Sequence, residues 1–341
     1  MHYIKYSDIQ EKDWNLYIGK ISGITFNYTA EKISFDHEYS KSITSNESFI
    51  AMENKRPVAA CEIFIERFGG KFQISWNGSY CLAPYFDNTL EYKALERISK
   101  KIMAYIEEIA ELHHCQKIML RLDPLGNPEQ KSTFYNYNFL LKYGYMDETG
   151  LTQIIDLRQD RNKLYSDVRK GHKSDIKSGG IYHIDIYDKN NIKFEMIDLY
   201  KKIYAEDAGK ITRNLELYQY YFDFIKNGLG LVAFGNIDGK AVGVAIVTLY
   251  KNTAYYSSYG ELEEELGNIP IGHRLQWEIM NYLKDSGVEF YEIGVQYYGK
   301  THYSIPNDKL IQISNFKRGF GGYTVPYWRG VKYMEEEGSV C

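Results

Sequence analysis

Near the end of the chain, Phe316-Lys317-Arg318-Gly319-Phe320-Gly321-Gly322 sets two cations among three glycines and two aromatic rings. Glycines let a backbone approach a ligand and expose its N–H groups, and a lysine offers a mobile charge to a phosphate or a developing oxyanion. The segment follows Leu310 to Ile313, an apolar run that reads as a strand. On composition alone, a cationic turn with no chemistry is an equal reading.

Other side chains of the right types lie upstream. Arg213 closes Gly209-Lys210-Ile211-Thr212-Arg213, and Tyr218 sits in the tyrosine-rich helix Leu215 to Phe224. A solvated charge at a helix start and a core tyrosine are the competing readings of these two. Tyr256 and Tyr259 lie on the strand Ala254 to Gly260, and strand alternation puts them on opposite faces, so one is core and Tyr256 is taken for a site. Gln296-Tyr297-Tyr298-Gly299-Lys300-Thr301-His302 follows a strand end, where α/β folds place substrate contacts. Histidine as a type titrates near neutrality, which would suit His302 to taking a proton from an amine; an exposed loop histidine is the plainer reading.

The elements that must position these residues occur twice. From Phe49 the order is strand, turn at Asn54-Lys55-Arg56-Pro57, β-rich run Val58 to Phe68, a Gly69-Gly70 turn and a strand from Phe72. A helix follows from Glu91 to about Leu112, with Leu95, Ile98, Ile102, Ile106 and Ile109 at helical spacing, and then the buried strand Lys117 to Leu122. The second half repeats the order about 180 residues on, too far for a solenoid and right for a duplicated domain. Its strands are Leu231 to Phe234, Ala241 to Tyr250 and Ala254 to Tyr259; a helix carrying Leu275, Ile279 and Leu283 and the strand Glu289 to Ile293 complete it. Helices precede each hairpin: Glu11 to Ile21 in the first half, and Arg161 to Lys177, Phe194 to Ala208 and Asn214 to Asn227 in the second. The expected fold class is α+β, two tandem GNAT-like (acyl-CoA N-acyltransferase) domains with mixed, mainly antiparallel sheets. Residues 1–150 form the first, with 325–341 packing back on it, and 151–324 form the second. A groove between them is the natural place for a ligand.

Bulk properties narrow the class. The chain has 341 residues and a net charge of −4, so its overall field does not recruit nucleic acid, and DNA is not an expected partner. No apolar run approaches the roughly eighteen residues of a membrane span, and the N-terminus lacks an apolar signal core, so a cytoplasmic protein is expected. The four cysteines show no Cys-x-x-Cys spacing and read as reduced thiols. His113-His114-Cys115 point different ways at a helix end with no second ligand cluster, so no metal is expected.

Ile313-Ser314-Asn315-Phe316-Lys317-Arg318-Gly319-Phe320-Gly321-Gly322, following Tyr291-Glu292-Ile293-Gly294, resembles the C-terminal signature of the FemABX family of aminoacyltransferases. The basic helix Val168 to Lys177, the segment Pro270 to Trp277 and the duplicated plan agree with it. No heptad-rich insertion interrupts the second half, so the chain is similar to the armless, FemX-like members.

The resemblance implies transfer of an acyl group, typically an amino acid from aminoacyl-tRNA, to an amine of a nucleotide-linked sugar or muropeptide acceptor in cell-envelope or surface-glycan biosynthesis. It puts Lys317 at the acyl-donor end, Phe316 packed beside it, and Arg213 and Tyr218 on the acceptor's phosphates and sugar. Arg318, Tyr256, Tyr297 and His302 complete the expected contacts. No bound cofactor is implied, and the tRNA acceptor end is the expected partner. The first-domain lysine of the family has no counterpart in Ser34-Phe35-Asp36-His37, which leaves the muropeptide open. A CoA-dependent N-acyltransferase of amino-sugar nucleotides and a non-catalytic GNAT-like scaffold are the alternatives. The glycine-rich phosphate cradle usual for CoA is missing from Asn268-Ile269-Pro270-Ile271-Gly272-His273.

Overall fold

A computed structural model describes residues 1–129, 134–178, 182–210, 213–262 and 270–334. Cys341 and Asn268-Ile269 lie outside the described residues. The chain divides into two compact units, Met1–Gly150 with the segment from Pro326, and Leu151–Val325.

In chain order the first unit holds β1 (His2–Lys5), α1 (Glu11–Ile18), α2 (Ala30–Tyr39), β2 (Ile43–Asn46), β3 (Phe49–Glu53), β4 (Arg56–Cys61), β5 (Phe64–Phe68), β6 (Lys71–Ile74), β7 (Cys81–Leu82), β8 (Tyr85–Phe86), α3 (Tyr92–Leu112), β9 (Lys117–Arg121) and β10 (Met146–Asp147). The second holds β11 (Gly150–Asp156), α4 (Arg161–Asp167), α5 (Lys170–Ser178), β12 (Tyr182–Tyr187), α6 (Phe194–Asp207), α7 (Leu215–Lys226), β13 (Gly230–Ile237), β14 (Lys240–Tyr250), β15 (Thr253–Glu261), α8 (Ile271–Asp285), β16 (Phe290–Gln296), α9 (Asp308–Arg318) and β17 (Tyr323–Tyr327); β18 (Arg329–Tyr333) returns to the first unit.

The first unit has a four-stranded sheet, β1-β3-β4-β8, and a larger one ordered β10-β18-β9-β6-β5-β2, with β7 also on β9. The α3 stripe Leu95, Ile98, Ile102, Ile106 and Ile109 is buried, as its spacing predicts. Between β4 and β5 the chain changes sheets at Glu62-Ile63, and there it buries a carboxyl: Glu62 is 1 % exposed. Asp36, ion-paired with Lys32, is as deeply buried. Asp36 Oδ1 and Glu62 Oε2 have no other hydrogen-bond partner, and one proton on Glu62, donated to Asp36, satisfies both. Burial first, and then the Asp36 charge, push Glu62 up to about 8.

A carboxyl raised on folding is more protonated in the native than in the unfolded chain, so its contribution is full at acid pH. It is lost as pH climbs from the unfolded value of 4.5 toward about 8. Glu62→Gln keeps the donor without the titration. It is expected to flatten the fall of the thermal midpoint across that window, and an unchanged slope would contradict the shared proton.

The second unit is one seven-stranded sheet, β12-β13-β14-β15-β16-β11-β17, antiparallel where β12 to β15 meet and parallel between β15 and β16. Asp238 and Gly239 turn β13 into β14 with positive φ at both positions, the reason for Asp-Gly there. Leu275, Ile279 and Leu283 of α8 form a core with Ala233, Ala245, Val247, Tyr291 and Ile293 of the sheet.

The structure corrects three expectations. Leu310 to Ile313 lies inside α9 and is helical: Asn307 caps the helix through Leu310 N–H at 3.0 Å, and Asp308 complements its first turn. The basic helix from Arg161 breaks at Val168, which is extended (ψ 132°), giving α4 and α5. The first helix ends at Ile18 instead of Ile21. No helix of the described residues is long and apolar enough to cross a membrane. Cys61, Cys81 and Cys115 are free and buried.

Candidate active site

The parallel strands β15 and β16 share pairs only at Thr253–Tyr255 with Phe290–Glu292; β15 then runs on to Glu261 and β16 to Gln296. A cavity of about 620 Å³ is walled by β15 past that point, the first turn of α8 and the inner face of α9. Its size is that of a small-molecule site.

Tyr256 and Tyr259 both line it, with ring centroids 6.5 Å apart. Alternation would have separated them, but β15 carries a bulge. Val247 pairs with Tyr256 and Ile246 with Ser258, leaving Ser257 as the extra residue that resets the parity. Tyr259 donates to Glu261, also in the wall, and burial raises both phenols well above their ordinary range, so they remain donors.

Lys317 enters from the last turn of α9 and Phe316 lies beside it. No hydrogen bond or ion pair among the described residues holds the Lys317 ammonium. Burial lowers its pKa, and the Glu292 carboxylate, which accepts from Thr152, opposes that shift. Gly294 makes room: its φ is +102°, and a Cβ there would lie 2.2 Å from Lys317 Nζ. The segment Tyr291-Glu292-Ile293-Gly294 thus supplies both the clearance and the counter-charge. Gly272 plays a similar part, since a Cβ would come within 2.7 Å of the Tyr259 hydroxyl.

The glycines after Lys317 pack against protein. A Cβ on Gly319 would lie 2.0 Å from His172 Nε2, one on Gly321 3.0 Å from Asp167 Cβ, and one on Gly322 2.2 Å from the Ile154 carbonyl oxygen. Gln153 Nε2 further donates to the Gly321 carbonyl at 2.6 Å. The glycine-rich turn is therefore a clasp between α9, α4, α5 and β11, a role that composition does not separate from ligand binding.

His172, Asp175 and His273 bring ligand-type atoms within 4.8 Å of one another. Their chemistry does not suit a metal, because both His172 nitrogens are engaged: Nε2 with the Phe316 carbonyl at 2.8 Å, Nδ1 with Arg169 at 3.1 Å. Burial lowers the pKa of both imidazoles, that of His273 to about 4.

Phe316, Lys317 and Tyr256 meet in the cavity, joined by Tyr259; the other candidate site residues from the sequence lie elsewhere. Arg213 is folded onto tyrosines, 4.0 Å from the Tyr204 ring, and donates to Tyr200, whose hydroxyl bonds Ser258 at 2.9 Å. Through that chain it buttresses the wall at Ser258 without lining it. Tyr218 is a core residue, 5.8 Å from Tyr200 edge-on. Arg318 donates to Gln296 at 3.0 Å and to Asn315, and stacks on Tyr298. Tyr297 N–H is held by Ser314 at 2.9 Å, and His302 is exposed on the loop beyond. Sequence reasoning missed Asp207, Glu261, His273, Lys309 and Gln312 in the wall. For Lys309 and Gln312 the signal was available: they precede Phe316 by seven and four residues, one helix face, once the segment is read as helix.

No protein-family model matches the sequence, and no curated protein matches it significantly. Solved structures do match the fold. FemX superposes with a TM-score of 0.69 over 98 % of both chains at 10 % identity. The C-terminal domain of a putative lysylphosphatidylglycerol synthetase from Agrobacterium fabrum gives 0.59 over 94 % of this chain and 91 % of that one at 11 % identity. A tandem GNAT protein from the clavulanic acid biosynthesis pathway gives 0.52 over 97 % and 98 % at 12 % identity. The chain therefore has the tandem GNAT-like fold on the plan of FemX, the fold implied by its resemblance to the FemABX family.

Proposed function

We propose that the protein is an acyl- or aminoacyltransferase that forms an amide on an amine of a nucleotide-linked sugar or cell-wall precursor, with aminoacyl-tRNA as donor. The observation that carries this reading is the Lys317 ammonium, half-buried and without an ion pair among the described residues, in a tyrosine-lined cavity where two parallel strands part. The names of the neighbours in fold, FemX, lysylphosphatidylglycerol synthetase and a tandem GNAT protein, point the same way.

The acceptor nitrogen bonds to the donor's carbonyl carbon, and the carbonyl π pair moves onto oxygen. Lys317 then faces that oxyanion, where a fixed charge in a dry site is worth most. Collapse expels the donor's alcohol or thiol, which leaves with the proton the amine gives up. Protonated Tyr256 can donate to the same oxygen. One observation favours a CoA donor: the first turn of α8, which has no side-chain cap, opens on the cavity, and a helix start is suited to a phosphate.

The test offers the purified protein charged tRNA or acetyl-CoA together with amino-sugar nucleotides and muropeptide precursors, and reads amide products by mass spectrometry. Product with charged tRNA that ribonuclease abolishes is expected. Product with acetyl-CoA alone selects the second reading, and none with either donor overturns both.

A further inference from the structure

We propose that His172 is the positioning residue of the Lys317 site: its buried imidazole, braced by Arg169, holds the Phe316 carbonyl and so fixes the turn of α9 from which Lys317 enters the cavity. This rests on the reading of Lys317 given above.

The ring is 1 % exposed. A guanidinium only donates, so Nδ1, 3.1 Å from Arg169, is the acceptor, and Nε2 carries the hydrogen given to the Phe316 carbonyl at 2.8 Å. A second link runs alongside, from Arg169 N–H to the Gly319 carbonyl at 2.8 Å. The two bonds join the start of α5 to the end of α9 on either side of Lys317. Gly319 is the residue that permits it, since a Cβ would overlap Nε2. The rings of His273, Phe320 and Phe316, at 4.3, 4.9 and 5.6 Å, pack around the imidazole. The charged or titratable groups facing it are Arg169 and Asp175 from its own segment and His273 from α8. A clasp of this kind matters because a displacement of about 1 Å at a catalytic group costs on the order of 10²-fold in rate.

The test measures the proton affinity of Lys317 without substrate, by competitive acetic anhydride labelling across pH and peptide mass spectrometry. In the wild type Lys317 should titrate below the exposed lysines of the same chain. In His172→Leu its midpoint should rise toward theirs, and in His172→Gln, which keeps an N–H donor, it should stay near wild type. Leu283→Ala, a core truncation in the last turn of α8, should lower the thermal midpoint without moving Lys317. An unmoved Lys317 in His172→Leu, or an equal movement in Leu283→Ala, overturns the proposal. Should His172→Leu not fold, the exposed Arg169→Met is expected to move Lys317 in the same direction, and no movement there overturns it. A rise in thermal midpoint on adding zinc would also overturn it, because the ring nitrogens would then be free to ligate. Labelling reads geometry, so an inactive protein with a shifted Lys317 refutes the function and leaves the positioning role standing.

Discussion

Lys317→Ala is expected to lower the turnover of amide formation by about 10²–10³-fold, or about 2.7–4 kcal/mol, with little change in KM. The ammonium meets charge that exists only in the transition state, so its loss should appear in kcat. Stability should behave differently. Burial disfavours the charged form of Lys317, and the interaction set against it comes from Glu292 across the Gly294 gap. Removing a partly desolvated charge that lacks an ion pair among the described residues should leave the thermal midpoint at or slightly above wild type. Lys317→Arg should not rescue activity, since the clearance left by Gly294 admits an ammonium and not a planar fork. A variant that loses activity and stability together would make Lys317 a structural residue.

Gly322→Ala is expected to cost about 3 kcal/mol or more in unfolding free energy. Two penalties combine there. The φ of +75° charges any L side chain roughly 1–2 kcal/mol. The new Cβ would also lie 2.2 Å from the Ile154 carbonyl oxygen and 2.9 Å from its carbon, both backbone atoms of a strand inside the sheet. Neither can swing aside as a side chain can, so β11 or the turn has to shift. Gly239→Ala is the control, with φ +80° and open space around the added carbon, and should cost only the backbone term. Equal losses at the two positions, read from denaturant midpoints at constant slope, would show that the clasp carries no packing load.

The features legible in the sequence were those written in local periodicity. The α3 stripe, the Gly69-Gly70 turn and the repeated order of strands and helix each depend on residues close in the chain, and together they determine the fold class. Failures occurred where a short apolar run or a pairing detail decided the outcome. Leu310-Ile311-Gln312-Ile313 is as apolar as a strand, but Asn307-Asp308 ahead of it is a helix start, and the cap outweighed the run. Tyr256 and Tyr259 share a wall because Ser257 bulges, a fact of register that no single strand reveals. Gly294 and Lys317, over twenty residues apart in the chain, occupy one space, and only the fold brings them together. The lone charges Arg213 and Arg318 are absorbed by tyrosines and amides that composition shows to be abundant but cannot place.

The central claim is that the acyl donor's carbonyl sits at Lys317. A crystal of the protein grown with a stable 3′-amide analogue of an aminoacyl-adenosine tests it most directly. The account predicts the analogue's carbonyl oxygen within hydrogen-bond distance of Lys317 Nζ, with the acyl group between Phe316 and the Tyr256 and Tyr259 rings. An analogue bound elsewhere, with this cavity empty, would contradict it.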